Sequence, residues 1–78
     1  MTSKFDEINR KICFKIRIER MKRKLSQEQL ASATGLSKNS IGMFERTEIV
    51  PTLVSLAKIA DAFGMTVSEL TDISKVEL

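Results

Sequence analysis

Apolar residues recur along this chain at helical spacing, and each run begins just after a small polar residue suited to cap a helix. Ser26-Gln27-Glu28-Gln29 has the form of a capping box, in which the Ser26 side chain accepts from the backbone and Gln29 reaches back. Leu25 before that cap and Leu30 after it form a hydrophobic staple. Thr66 and Glu69 repeat the box, with Met65 and Leu70 as the staple, and Ser37 stands between Leu36 and Ile41 in the same way. Thr52 follows Pro51, which helps end whatever precedes it. Gly35 and Gly64 stand where helices stop and the backbone turns left-handed. These signals predict helices over about 5–23, 27–33, 38–46, 53–62 and 67–72. No segment alternates apolar and polar residues between turn signals, so strands are not expected. The expected fold is a single all-α domain over residues 1–78.

The first helix carries two apolar faces. Phe5, Ile8, Ile12 and Ile16 lie on one, and Phe14, Ile18 and Met21 on roughly the opposite side. One must meet the core; the other packs on a second element of the fold or is exposed to a partner. The fourth helix offers a core stripe of Leu53, Leu56, Ile59, Ala60 and Phe63, and the fifth adds Val67 and Leu70. In the tail, residues 73–78, Ile73, Val76 and Leu78 are apolar with little core left to fill.

The stretch 26–46 is the informative one. A capped short helix, a tight turn at Gly35 and a second capped helix make two neighbours that cross at a large angle. On the second of these, Ser37, Ile41, Phe44 and part of Glu45 share the inner face, while Asn39, Gly42, Met43 and Arg46 face outward with Lys38 beside them. That outward set suits the major groove of DNA. Lys38 and Asn39 donate to guanine and adenine edges, and Met43 offers an apolar contact to a thymine methyl. Arg46 is placed to meet a phosphate. Gly42 costs about 1 kcal/mol relative to alanine inside a helix. It is either a site of close approach to DNA or to the preceding helix, or a tolerated defect.

Charge agrees with this half of the chain. The overall charge is +3, but residues 10–46 carry ten Lys and Arg against Glu19, Glu28 and Glu45, whereas residues 47–78 are net acidic. One half is built to approach a polyanion. Composition closes other routes. No histidine is present, which excludes Ser-His and Cys-His nucleophiles and histidine-bound metals. Cys13 stands alone, so no internal disulfide or cysteine-cluster zinc site is possible, and it reads as a small buried hydrophobe. Three widely spaced glycines make no phosphate-cradling loop. The expectation is a non-enzymatic protein with no cofactor, no metal and no small-molecule ligand. No apolar run approaches the roughly 18 residues of a membrane span. The opening MTSKFDEINRK is polar rather than a signal peptide, so a soluble, cytoplasmic protein is expected.

From about Ile12 to Leu70 the chain resembles the phage-repressor and Cro-like helix-turn-helix family, the XRE type. The resemblance rests on SQEQLA, GLS, SIGMFE and PTLVSLAKIADAFGMTVSEL in that order. It implies a five-helix, lambda-repressor-like bundle, with the helix-turn-helix at about 26–46. It also implies operator binding as a dimer, with the third helix in the major groove. By the same resemblance, Lys38, Asn39 and Met43 fall on base-facing positions. Gln27 braces phosphate and the reading helix, Ser37 and Ser40 lie near phosphate or base edges, and Arg20 pairs with Glu45. Lys24 and Thr47 depart from the family, standing where glycines usually occupy left-handed turns. Either the turns are reshaped, or a strain of about 1–2 kcal/mol is tolerated at each. Thr47 falls among the positions that support DNA contact.

The implied partners are double-stranded DNA and a second copy of the chain. The tail and fifth helix, through Ile73, Val76 and Leu78, form the expected dimer surface, with Phe14, Ile18 and Met21 as the alternative. Chains of this length in the family include phage and mobile-element repressors and the controller proteins of restriction–modification systems. An antitoxin-type protein, which binds a partner protein as well as DNA, is the competing reading.

Overall fold

The computed structural model describes residues 3–78; Met1 and Thr2, part of the polar opening stretch, lie outside the described residues. Five helices follow in order: α1 (Lys4–Lys22), α2 (Gln27–Thr34), α3 (Lys38–Glu45), α4 (Leu53–Ala62) and α5 (Val67–Leu70). No strand occurs among the described residues. The last four helices begin on the capping residues the sequence announces. The side chains of Ser26, Ser37, Thr52 and Thr66 accept from the backbone N–H three residues on, and the boxes with Gln29 and Glu69 are both closed. A further box, Ser3 with Asp6, opens α1.

The core takes fully buried side chains from every helix: Ile16 from α1, Leu30 from α2, Ile41 from α3, Ile59 from α4 and Leu70 from α5. The three staples close onto it, since Leu25, Leu36 and Met65 pack against the buried cluster next to Leu30, Ile41 and Leu70. Thus the residues that fix where helices start also fix how they dock. α2 packs on α3 and α4, while α1 lies across α3 and α5. Lys15 strengthens the last contact: its ammonium donates to the carbonyls of Glu69 and Asp72, at the end of α5 and just past it.

Three helices end in the same two-bond motif. After α4, Gly64 N–H donates to Asp61 O and Met65 N–H to Ala60 O. Lys24 and Leu25 do this after α1, and Thr47 and Glu48 after α3. Gly64 (φ 70°), Lys24 (φ 56°) and Thr47 (φ 58°) are therefore all left-handed. The turns are not reshaped at the non-glycine positions; the paired hydrogen bonds hold them in the strained region.

Several apolar expectations need correction. Leu53 is not core: it is 71% exposed in the first turn of α4, beside exposed Val50 and Val54. Phe5 is 75% exposed and Ile8 is exposed too, because the first turns of α1 run beyond the bundle and only Ile12 and Ile16 reach the interior. Cys13 is fully buried. On the opposite side of α1, Phe14 and Ile18 are neither core nor free. They line an open groove whose other wall is the tail, through Asp72 and Val76. Val76 of the expected tail surface and Phe14 and Ile18 of the alternative one thus line the same groove. No helix among the described residues is long and apolar enough to cross a membrane.

Candidate nucleic-acid interface

α3 is positioned from its inner face. Ile41 and Phe44 anchor α3 in the core, and at its last residue Glu45 is held by two other helices. Arg20 of α1 donates from Nε to Glu45 Oε2 (2.6 Å) and from Nη2 to Oε1 (2.9 Å), a side-on fork. Its third nitrogen, Nη1, donates to the carbonyl of Leu25 (2.7 Å) in the turn before α2. Gln27, the first residue of α2, adds its amide N–H to Glu45 Oε1 at 3.2 Å. The side chains of Arg20 and Glu45 are 14% and 4% exposed, so this is a shielded cluster. The carboxylate raises the guanidinium pKa further, against the opposing effect of partial burial. α1, α2 and α3 thereby share one ionic joint, and Gln27 is fixed beside α3.

The turn between α2 and α3 needs its glycine for conformation alone. Gly35 has φ 74°, and a Cβ there would meet nothing. Thr34, buried beneath the turn, returns its hydroxyl to the carbonyl of Leu30 and accepts from the N–H of Leu36.

Outward from this frame, Lys38 and Asn39 are exposed on the first turn of α3, with Met43 half-buried one turn on. Asn39 Nδ2 lies 4.0 Å from Met43 Sδ, so the two form one contiguous polar-apolar patch. Lys38 Nζ sits 3.3 Å from Glu28 Oε1 of α2, a loose exposed pair. Ser37 and Ser40 lie beside them and are joined hydroxyl to hydroxyl at 2.9 Å, with Ser37 also accepting the Ser40 N–H. Ser37 is therefore committed first to capping. Thr47 is exposed just past the helix end.

Two features of this face were hidden in the sequence. Gly42, expected on the outward face, is buried. A Cβ there would lie 2.9 Å from Arg46 Nη1 and 3.6 Å from Gln27 Oε1, so two side chains close over it. The close approach is to the protein's own Arg46 and to α2. The second is Glu48, whose carboxylate receives Arg46 Nε at 2.9 Å and Nη2 at 3.1 Å. No helical spacing rule links residues two apart; the left-handed turn at Thr47 brings them together. Each side chain stabilises the other's charge, raising the arginine pKa and lowering the glutamate's.

The basic residues of 10–46 do not form one patch. Lys15 and Arg20 are engaged as described. Arg23 donates to the carbonyls of Glu19 and Phe63 and lies over the Phe63 ring at 4.7 Å. Lys15, Arg20 and Arg23 tie the bundle together with their charged heads. The tail residues Ile73 and Val76 are half-buried and Leu78 is exposed, so the expected dimer surface is in part occupied by its own chain.

The helix-turn-helix family matches residues 16–70 of the chain. Over 64 residues the chain is 33% identical to the transcriptional repressor RstR of the cryptic phage CTXphi from Vibrio cholerae. The aligned stretch is 82% of this chain and 58% of that repressor, so the chain spans little more than half its length.

Proposed function

The chain belongs to the helix-turn-helix family, in its phage-repressor-like XRE type, and on that premise we propose that it regulates transcription by binding a specific site in double-stranded DNA. The observation that carries this is the attachment of α3: its inner face is locked by Ile41, Phe44 and the Arg20–Glu45–Gln27 joint, while Lys38, Asn39 and Met43 face outward. A helix held so firmly on one side is a rigid probe on the other. α3 enters the major groove, where Lys38 and Asn39 donate to base edges and Met43 meets a methyl group. Gln27 at the start of α2 meets the phosphates, with Ser37, Ser40 and Thr47 in support.

The protein acts as a homodimer on an inverted repeat, in the cytoplasm, without catalysis. One reading helix touches too few base pairs for genomic specificity. Half-sites one turn apart place the two copies roughly 34 Å apart. The chain measures 35 × 23 × 22 Å, so neighbours at that spacing come into contact when their long axes lie along it. The surface formed jointly by α1 (Phe14, Ile18, Met21) and the tail (Ile73, Val76, Leu78) is the proposed contact. The exposure of Phe14 and Met21 also favours a second reading, an antitoxin-type protein that buries this surface against a different protein.

Selection from random duplexes tests the main function. The protein should enrich an inverted repeat, and Asn39→Ala should lose roughly 1–3 kcal/mol on it while relaxing preference at one or two base pairs per half-site. Unchanged affinity of Asn39→Ala for both selected and random duplexes would remove the base-reading role.

A further inference from the structure

Arg46 caps the end of α3, yet its charged head does not stay there. The side chain folds back along the helix until Nη1 and Cζ lie 2.9 and 3.7 Å from where a Cβ of residue 42 would stand. Only glycine leaves that seat open. The left-handed turn at Thr47 then returns Glu48 to the guanidinium, and the carboxylate takes the Nε–Nη2 edge in a side-on fork. Among the described residues no acceptor takes Nη1. The end-on edge, two N–H groups from Nη1 and Nη2, is therefore left open on the middle of the reading helix, between Asn39 and the helix end and beside Gln27.

Two consequences follow from charge and geometry. The pair is locally neutral, and a phosphate approaching Arg46 also meets the Glu48 carboxylate, which repels it. A pair of neutral acceptors is not repelled. The O6 and N7 of guanine form such a pair, spaced for the end-on edge of a guanidinium. The Arg46–Glu48 pair is half exposed and weak in water; drying by the groove strengthens it, so the arginine is fixed most firmly when DNA is bound. Given the DNA-binding function proposed above, on which this rests, we infer that Arg46 reads a guanine edge instead of a phosphate. Glu48 and Gly42 are the positioning residues that aim it.

The test compares sites selected from random duplexes by the wild type, Arg46→Ala, Glu48→Gln and Gly42→Ala, with salt titrations on selected and random duplexes. Arg46→Ala should lose preference for one G·C pair per half-site. Glu48→Gln should lose about tenfold preference at the same pair. It should also bind random duplex more tightly, with a salt dependence steeper by about one ion, because the freed arginine now meets phosphate. Gly42→Ala should lose that pair too while melting no lower than the wild type, since alanine favours the helix and only a flexible side chain must move. The inference is overturned if Arg46→Ala selects the wild-type sequence. It is equally overturned if Glu48→Gln keeps the G·C pair and tightens selected and random duplexes alike, which is the behaviour of a phosphate ligand held back by a neighbouring anion. A wild type that enriches no sequence removes the DNA-reading function itself, and this inference with it.

Discussion

Arg20→Ala is the substitution whose consequence is best fixed by geometry. It removes a fork of 2.6 and 2.9 Å to Glu45 and the 2.7 Å bond to the Leu25 carbonyl. Glu45, with its side chain 4% exposed, is left with Gln27 alone at 3.2 Å. An uncompensated charge at that burial costs about 3–5 kcal/mol, several times the worth of an exposed ion pair. Glu45→Ala should cost less, because Arg20 keeps the Leu25 carbonyl and is the more exposed partner. The double mutant should lose far less than the sum, with a coupling of order 2 kcal/mol. Replacing both residues by methionine should recover most of the stability, since the attraction largely offsets the dehydration of the two charges. Urea melts with an unchanged slope would measure all four variants. Additive losses below about 1 kcal/mol would place the pair in effectively solvated surroundings and refute the shielded joint.

Lys24→Gly and Thr47→Gly should each stabilise the fold by about 1 kcal/mol, as relief of left-handed strain outweighs the extra freedom of the unfolded chain; melts of the single variants check this. Burial pushes the Cys13 thiol from 9.0 up to about 11. The unfolded thiol then ionises first, so its contribution is complete below pH 9.0 and is lost as pH rises toward 11. Glu19, lowered below 4.5 chiefly by its hydrogen bond from Arg23, contributes above that pH and loses its contribution as pH falls through its folded value. With no histidine present, stability measured across pH should be flat between these limits, and a step near pH 6.5 would contradict the assignment. Deleting residues 73–78 should shift sedimentation toward monomer and weaken operator binding while most helicity stays. A dimer that survives the deletion but fails on Leu53→Asp would move the interface to the exposed Val50–Leu53–Val54 patch.

The helix starts were legible because their signals are local. A cap, its third-position partner and its staple lie within six residues, and the same short motif decides both the backbone bonds and the docking side chain. The α1 box of Ser3 and Asp6 has the same spacing but was not singled out in the sequence. Apolar periodicity was less reliable at helix ends. It placed Ile12, Ile16 and Ile59 in the core but could not show that α1 overruns the bundle at Phe5, or that α4 begins outside it at Leu53. Periodicity assigns a face; only the position of neighbouring helices decides whether that face is covered.

Charge was the least transparent property, for the same physical reason carried further. A net excess of cations between residues 10 and 46 suggests a surface attracted to phosphate, but where a side chain's charge goes depends on acceptors distant in sequence. Lys15 and Arg23 spend their donors on carbonyls forty or more residues away or on their own helix, and Arg20 on a carboxylate twenty-five residues on. Conversely, Lys38 and Arg46 are exposed on α3 and just past its end, and each has an anion beside it, Glu28 and Glu48. Counterion release scales with the phosphates actually neutralised, not with the formal charge of a segment. A face whose cations are already matched gains little from undirected attraction to any duplex, so its discrimination rests on the groups that address base edges. On the proposed function, the acidic residues that make this chain only mildly basic therefore belong to its selectivity as much as Lys38, Asn39 and Arg46 do.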